Sequence, residues 1–248
     1  MRPSPKYVSA LLMILVAAAV LSAGDKPWMS KPYSQWTDKD VQLIMTDSPW
    51  VQSTTIRRSW VPGKEVGPEA QISGGVRPMP GATGGLGTNS AGDRESEAST
   101  SELKVYIYWD SSRVMRAASA RQRALRGELP ASEVEPYARV PQQEYVLVLS
   151  MGDMTPFVKS DEKFFQSAAS LETKRGHGTV RPSHVVYQRD SKGTLAQALF
   201  FFPKTNSSGA PTIRADETEV QFRCKIADSD VRVNFKVGKM VDPSGPDL

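Results

Sequence analysis

Strict alternation of apolar and polar residues in two neighbouring segments constrains the fold of this chain more than any other feature. Every second residue is apolar in 220–226 and again in 231–237. Successive side chains of a β-strand point to opposite faces, so each segment is predicted to be a strand with one buried face. The four residues from Ala227 to Asp230 suit a turn. Together these segments predict an antiparallel hairpin with one face in water.

Other segments of the C-terminal half also carry strand patterns. Apolar residues alternate with lysine and tyrosine in 103–109, and 145–149 is continuously apolar, as in a central strand covered on both faces. Segments 184–188 and 195–202 flank a loop that ends in Gly193, which predicts a second hairpin. We therefore expect an α+β, β-dominated fold, in which an antiparallel sheet or sandwich packs with two or three helices.

Two of these helices are predicted within the β-rich region. Ser111 or Ser112 is suited to cap a helix that runs to about Arg126 and stops at Gly127. A second helix is predicted to begin at Ser160. Its apolar face consists of Phe164, Ala168 and Leu171.

A third helix is predicted near the N-terminus. Thr37 and Asp40 approximate a capping box, and Trp36 and Val41 have the spacing of a hydrophobic staple. A strand is predicted from Val51 to Val61. The tryptophans of this region are Trp28, Trp36, Trp50 and Trp60. We expect them to pack in the core rather than to form an exposed glycan-binding or protein-binding cluster.

The segment from Pro62 to Ser101 differs in composition from the rest of the chain. It holds half of the chain's 18 glycines, and no aromatic residue occurs between Trp60 and Tyr106. Such a segment cannot bury enough apolar surface to offset its ordering entropy. We therefore predict a disordered linker or loop, either between two regions or inserted within one domain.

The N-terminus has the pattern of a secretory signal peptide. Arg2 and Lys6 precede an apolar run over 8–21, and small residues follow at 22–24. The run is shorter than the roughly 20 residues of a membrane-spanning helix, so cleavage after Gly24 is favoured over an uncleaved anchor. Export to the periplasm or the extracellular space is expected. The predicted divisions are 1–24 (signal peptide), 25–61 (Trp-rich helix and strand), 62–102 (linker), 103–241 (β-rich core) and 242–248 (flexible tail).

Charge and cysteine content exclude several classes of protein. The net charge of +4 includes Arg2 and Lys6, so the exported chain carries +2, which does not indicate a nucleic-acid binder. Cys224 is the single cysteine, which rules out an intrachain disulfide and a multi-cysteine metal site. Its place in the alternating pattern predicts a core residue. No cofactor or metal is expected.

The two histidines offer one enzymatic hypothesis. His177 or His184 could act as the general base of a hydrolase, with a carboxylate such as Asp153 or Asp161. Their spacing of seven matches no common zinc pattern, and no serine or cysteine lies in a recognisable nucleophile motif. Two histidines without a catalytic role are the favoured interpretation.

The helix predicted over 111–126 is rich in arginine and contains no acidic residue. A helical projection places Arg113, Arg116, Arg123 and Arg126 opposite its apolar stripe. This face is the candidate binding surface, and its expected partner is an acidic protein or the cell-envelope surface. No aromatic residue interleaves with the arginines to stack on bases, so nucleic acid is not expected. A solvated face without a partner is the alternative.

Several segments resemble an uncharacterised family of exported bacterial proteins of the acidobacterial type. They are Trp36–Val41, Ser48–Trp50, Leu199–Lys204, Ile213–Glu217, Val220–Phe222 and Phe235–Val241. Some members are described by a Gly-Trp-x-Thr-Asp motif, whose glycine and spacer are missing at Gln35–Asp38. The resemblance implies export and the closing strands of the fold, and it brings no activity or catalytic residue. We therefore expect an exported, non-enzymatic binding or structural module, with the hydrolase and the arginine-face binder as alternatives.

Overall fold

The computed structural model describes residues 26–58, 102–175 and 178–248. Within these ranges the chain forms six α-helices and eleven β-strands. The helices are α1 (Pro27–Ser30), α2 (Asp38–Thr46), α3 (Arg113–Leu125), α4 (Val134–Arg139), α5 (Thr155–Val158) and α6 (Glu162–Ala168). The strands are β1 (Val51–Arg57), β2 (Glu102–Trp109), β3 (Glu144–Met151), β4 (Ala169–Thr173), β5 (Thr179–Val180), β6 (His184–Arg189), β7 (Leu195–Pro203), β8 (Val220–Ile226), β9 (Ser229–Phe235), β10 (Val241–Asp242) and β11 (Gly245–Pro246).

Five strands form an antiparallel sheet in the order β1-β2-β3-β7-β6. The central strand is β3, and all five residues from Tyr145 to Leu149 are buried. This confirms the central strand predicted from the apolar run. The inner face of the sheet carries Trp109 opposite Leu147, and the outer face carries Tyr108 opposite Val148.

The second sheet has the order β5-β4-β8-β9 and packs against the inner face of the first. The Phe222 ring lies 5.4 Å from that of Phe200, and the Phe235 ring lies 5.1 Å from that of Trp109, measured between centroids. Aromatic side chains of both sheets therefore fill the space between them. The predicted α+β, β-dominated fold with antiparallel sheets is confirmed.

The β8–β9 hairpin has a tighter turn than the sequence suggested. Ile226 pairs with Ser229, so only Ala227 and Asp228 form the turn, and the predicted four-residue turn is wrong. Ala227 has a φ of +49°, in the left-handed region. Positive φ is what two-residue hairpin turns use to match the twist of the flanking strands.

The N-terminal helix has the predicted cap. The Thr37 hydroxyl oxygen accepts a hydrogen bond from the Asp40 backbone N–H at 3.2 Å, and Asp40 accepts one from the Thr37 N–H at 2.9 Å. Trp36 and Val41 are buried, as a hydrophobic staple requires. Trp28 and Trp50 are buried as well, which confirms core packing for three of the four tryptophans. Trp60 lies outside the described residues.

Helix α3 begins and ends where the sequence indicates. The Ser112 hydroxyl oxygen accepts a hydrogen bond from the Met115 backbone N–H at 3.1 Å. The helix ends at Leu125, and Gly127 has a φ of +76°. A left-handed residue at this position is the usual stop of a helix.

The predicted details of helix α6 are wrong. Its cap is Asp161 rather than Ser160, since the Asp161 carboxylate accepts the Phe164 backbone N–H at 2.7 Å. Phe164 is 44% exposed, whereas Phe165 is buried. Leu171 belongs to β4, so the helix ends before the predicted apolar face is complete.

The prediction of a flexible tail at 242–248 is also wrong. Strands β10 and β11 form a short hairpin there, and Asp242 and Asp247 are buried. Each aspartate binds groups that lie far away in sequence. The Asp247 carboxylate accepts the Arg113 and Val114 N–H groups at the start of α3, at 2.7 and 3.0 Å.

The described part of the predicted division 25–61 does not separate from the core. Strand β1 pairs with β2 along its whole length, with Arg57 opposite Glu102. The segment 26–58 therefore completes the five-stranded sheet. The predicted signal peptide and the predicted linker from Pro62 to Ser101 lie outside the described residues, and Glu102 already belongs to β2. No helix within the described ranges combines the length and the hydropathy needed to span a bilayer.

Candidate functional site

The predicted arginine face does not exist as one exposed surface. Arg113 binds Asp242 through two hydrogen bonds of 2.8 Å, from Nε and Nη2. Arg116 is buried, and its Nη1 donates to the backbone carbonyls of Tyr137 and Val140. The helical projection placed Arg116 on the outer side of α3, but α4 and the residues after it cover that side.

Arg123 and Arg126 are exposed at the end of α3, where both approach Glu128. The Arg126 Nε lies 2.7 Å from a Glu128 carboxylate oxygen, and the Arg123 Nε lies 4.0 Å from the other. Exposed pairs of this kind contribute little to stability, and the carboxylate offsets part of their charge. The structure thus leaves two of the four predicted arginines on the surface.

The described histidine, His184, lies on the exposed edge strand β6. Its Nδ1 is 3.0 Å from the Ser183 hydroxyl oxygen, and its ring stacks on Phe201 with centroids 4.1 Å apart. The Ser183 hydroxyl donates to Glu144 at 2.5 Å. In a catalytic triad the carboxylate binds the histidine and the histidine takes the serine proton. Here the carboxylate binds the serine instead. His177 lies outside the described residues.

Cys224 is a core residue, as predicted. Its side chain is fully buried, and burial raises the pKa of the thiol. A thiol with a raised pKa and no exposure is a poor nucleophile.

A cleft of about 280 Å³ lies between helices α2 and α3 and the outer face of the five-stranded sheet. Its apolar lining consists of Met45, Met115, Val148 and Leu199, and its polar lining of Tyr108, Asp110, Ser119, Gln188 and Gln197. This volume is just below the roughly 300 Å³ at which pockets for small ligands usually begin.

Strand register explains why these residues meet. Tyr108 lies opposite Val148, and Val148 lies opposite Leu199. Gln197 is two positions from Leu199 on the same face of β7, and it pairs with Gln188 on β6. Four strands thus contribute one continuous patch, and α3 lies along its side.

The five polar side chains of the cleft all reach solvent: Gln188 is exposed and the other four are half-buried. Within the described part of the chain, none of them forms a side-chain hydrogen bond with another residue. Buried polar groups are mostly hydrogen-bonded within the protein, whereas groups that reach solvent can bind water or a ligand instead. Five that converge on one cleft without partners leave their donors and acceptors free for a ligand.

Asp110 is the charged member of this set. Burial raises the pKa of its carboxyl, and the nearby Arg116 guanidinium lowers it by less. The backbone N–H of Asp110 donates to Val146 at 2.8 Å, which fixes the residue just before the cap of α3. Next to it, Ser111 Oγ and Arg116 Nε are buried without hydrogen-bond partners in the described structure.

Asp110 also lines a second cavity of about 180 Å³ on its other side. That cavity is bounded by Ser111, Arg116, Tyr137, Val140, Gln142 and Val146. The carboxylate therefore stands between two cavities that follow α3 along the sheet. Among the described residues that line them it is the single carboxylate, so the paired-acid chemistry of glycoside hydrolysis has no second acid there.

Two tyrosines extend the site along the outer face of the sheet. The rings of Tyr106 and Tyr108 lie nearly parallel, with an interplanar angle of 17° and centroids 6.3 Å apart. Both side chains are half-buried. Ser53 of β1 lies opposite Tyr106, so a hydroxyl borders the ring pair at the edge of the sheet.

A larger basin of about 520 Å³ lies on the outer face of the four-stranded sheet. Its central cation, Arg223, is bound to Glu172 at 3.0 Å and to Asp230 at 3.1 Å. The basin is wider than the cleft, but its central charges are already paired. The cleft is therefore the better candidate site.

Comparison with protein-family models, with curated protein sequences and with solved structures gives no match to this chain. The residues of the cleft consequently stand on their geometry. The family resemblance suggested by the sequence stays an expectation.

Sequence reasoning did not find the cleft, because its members come from six separate elements. Asp110 follows a strand and precedes a helix cap, a position that looks like ordinary turn chemistry. One signal was available: Tyr106 and Tyr108 occupy the predicted outer face of a strand, where charged residues are more usual. No grouping of His, Cys, Asp and Glu suited to a metal occurs within the described ranges.

Proposed function

We propose that this chain is an exported, non-enzymatic binding module whose ligand occupies the cleft between α2, α3 and the five-stranded sheet. One observation carries the proposal. Five polar side chains without hydrogen-bond partners converge on a partly apolar cleft. Such a combination is typical of sites for small ligands, where apolar walls give affinity and a few polar groups fix orientation.

The arrangement supports binding better than catalysis. The cleft has one carboxylate, and the described residues that line it include no histidine, lysine or cysteine. General acid–base chemistry at a single site usually needs two titratable groups with different pKa values. His184, one of the two candidate bases of the hydrolase alternative, lies on an exposed edge strand and does not line the cleft.

Side-chain amide resonances offer a direct test of the binding proposal. Gln188 and Gln197 line the cleft, whereas Gln221 binds Asn234 on the other sheet at 2.8 Å. In a ¹⁵N-labelled sample, a screen of small polar compounds should yield at least one that shifts the Gln188 and Gln197 amides saturably. The Gln221 amide should not move.

Two variants complete this test. Ser119→Leu is designed to fill the cleft from the helix side, so it should abolish the shifts while the dispersion of the spectrum is retained. Asp228→Asn changes an exposed carboxylate in the basin and should leave them intact. Failure of every compound to shift the cleft amides, or equal shifts at Gln221, would argue against the proposal.

A further inference from the structure

We propose that the ligand of the cleft is a carbohydrate: a neutral, hydroxyl-rich ring that binds Asp110 and the two glutamines and packs against Tyr108. This inference rests on the proposed function and specifies its ligand class. It follows from the hydrogen-bonding inventory of the cleft, its charge and the aromatic surface beside it.

The polar lining of the cleft calls for a ligand that both donates and accepts hydrogen bonds. An ionised Asp110 can only accept, whereas the amides of Gln188 and Gln197 each offer donors and an acceptor. The hydroxyls of Tyr108 and Ser119 can do either. A hydroxyl group satisfies all of these partners, and adjacent hydroxyls on one ring can bind both oxygens of a carboxylate.

The charge of the site favours a neutral ligand. Among the described residues that line the cleft, Asp110 is the single charged one, so these residues offer an anion no cationic partner. The guanidinium of Arg116, which acts on Asp110 from the adjoining cavity, offsets the negative charge and weakens attraction for a cation. A polar ligand without net charge fits this balance better than either ion.

The apolar side of the site suits the hydrocarbon face of a sugar ring. Met45, Met115 and Leu199 line the cleft below its polar groups. The Tyr108 ring is half-buried beside the cleft, and the Tyr106 ring that follows it along β2 is covered by the Lys104 ammonium, 4.9 Å from the ring centroid. Aromatic rings present a flat apolar surface with a polar hydroxyl at the edge, and C–H groups pack well on such a surface.

The experiment titrates the ¹⁵N-labelled protein with four defined probes. Three are neutral tetrasaccharides: β-1,4-linked glucose, α-1,4-linked glucose and β-1,4-linked N-acetylglucosamine. The fourth is butylammonium, an apolar cation of similar width. We expect saturable shifts of the Gln188 and Gln197 amides with at least one tetrasaccharide and none with butylammonium.

Three variants separate the contributions to binding. Asp110→Asn should weaken binding at least tenfold, because an amide replaces one of the two accepting oxygens by a donor. Tyr108→Ala should weaken it by a similar factor, whereas Tyr108→Phe keeps the ring and should lose less. Asp228→Asn is the matched control and should bind like the unaltered protein.

The outcomes distinguish this inference from the proposed function. Saturable shifts with butylammonium alone would overturn the carbohydrate assignment and leave the binding module standing. Absence of shifts with all four probes would overturn the carbohydrate assignment, and absence with the wider set of polar compounds as well would remove both. Sugar binding that Asp110→Asn and Tyr108→Ala leave unchanged would place the ligand elsewhere and overturn this inference.

Discussion

At the scale of single residues, Asp110 is a group whose position disfavours its charged form, because burial raises the pKa of its carboxyl. Its side chain is half-buried, and its carboxylate accepts no hydrogen bond from the described residues. The charge of Arg116 compensates for only part of this burial, because the pKa of Asp110 remains raised. Proteins keep destabilising groups of this kind where function requires them.

Asp110→Asn should therefore raise the free energy of unfolding at pH 7 by about 1 kcal/mol, since it removes a desolvated charge. Urea unfolding followed by tryptophan fluorescence measures this, with Asp228→Asn as the control. A gain in stability together with a loss of ligand binding would identify Asp110 as a functional residue. Destabilisation would show that the electrostatic attraction between Asp110 and Arg116 outweighs the desolvation of the Asp110 carboxylate.

The pH dependence of the same variant checks the sign of the effect. If the pKa of a carboxyl is higher in the folded state than its value of about 3.9 in the unfolded state, the carboxyl keeps its proton up to a higher pH in the folded state. Between these two pKa values the folded state binds more protons, so stability falls as the pH rises. The difference between the unaltered protein and Asp110→Asn should thus be small near pH 3.5 and grow towards neutral pH. A difference that shrinks with rising pH would contradict the raised pKa.

At the scale of elements, the C-terminal hairpin β10–β11 holds helix α3 in place. Asp247 accepts two backbone N–H groups at the start of α3, and its own carbonyl accepts the Trp50 indole N–H at 2.7 Å. The Asp242 carboxylate accepts hydrogen bonds from the Arg113 guanidinium and from the Tyr33 hydroxyl, the latter at 2.8 Å. The last residues of the chain therefore connect α3 with the N-terminal segment, and α3 forms one wall of the cleft.

Asp242→Asn should lower the free energy of unfolding by about 2 kcal/mol. Breaking a fully buried ion pair costs roughly 3–5 kcal/mol, and the cost is smaller here because Arg113 is partly exposed. Burial alone would raise the pKa of Asp242, but the hydrogen bonds from Arg113 and Tyr33 outweigh it and lower the pKa. This contribution is present above the unfolded pKa and is lost as the pH falls through the folded one. Urea unfolding measures the effect, and Arg126→Ala, which removes an exposed ion pair, is the control that should leave the urea midpoint unchanged. An unchanged midpoint for Asp242→Asn would mean that the hairpin does not hold α3 in place.

The positive φ of Ala227 in the β8–β9 turn leads to a prediction about stability. Ala227 adopts a positive φ at which a β-carbon is strained, so Ala227→Gly should raise the free energy of unfolding by about 0.5 kcal/mol. The gain is reduced because glycine also makes the unfolded chain more flexible. Ala215→Gly, at an exposed residue with a negative φ, should have the opposite sign or no effect. Equal effects in the two variants would contradict the strained turn.

The local patterns in the sequence were sufficient for strands and caps but not for contacts between distant residues. The alternation in 220–237 and the Thr37 capping box depend on neighbours within a few residues, and both are confirmed. The tail could not be anticipated, because Asp242 binds partners 129 and 209 residues away. Arg116 was misplaced for the same reason: a helical projection shows which side is basic, but not that α4 covers it.

At the scale of the whole molecule, the N-terminal segment and the β-rich region form one fold. Strand β1 is an edge of the five-stranded sheet, while Trp28, Trp36 and Trp50 lie in the common core. Arg57 pairs with Glu102, so the chain leaves the sheet and re-enters it at adjacent positions. The pairing of β1 with β2 therefore needs only a short connection, whatever lies between them in sequence.

Replacing residues 59–101 with a four-residue Gly/Asn loop should preserve the fold and raise the free energy of unfolding by about 2 kcal/mol, because a roughly tenfold shorter loop costs less closure entropy. Arg58 is retained because its guanidinium lies 2.5 Å from the Asp153 carboxylate. Thermal unfolding and the Gln188 and Gln197 amide shifts with a cleft ligand measure stability and function together. The matched control replaces 59–101 with an equally long Gly/Ser sequence, which should leave both readouts close to those of the unaltered protein. A shortened chain that fails to fold would show that the segment contributes to the core, and one that folds but no longer binds would place part of the ligand site within it.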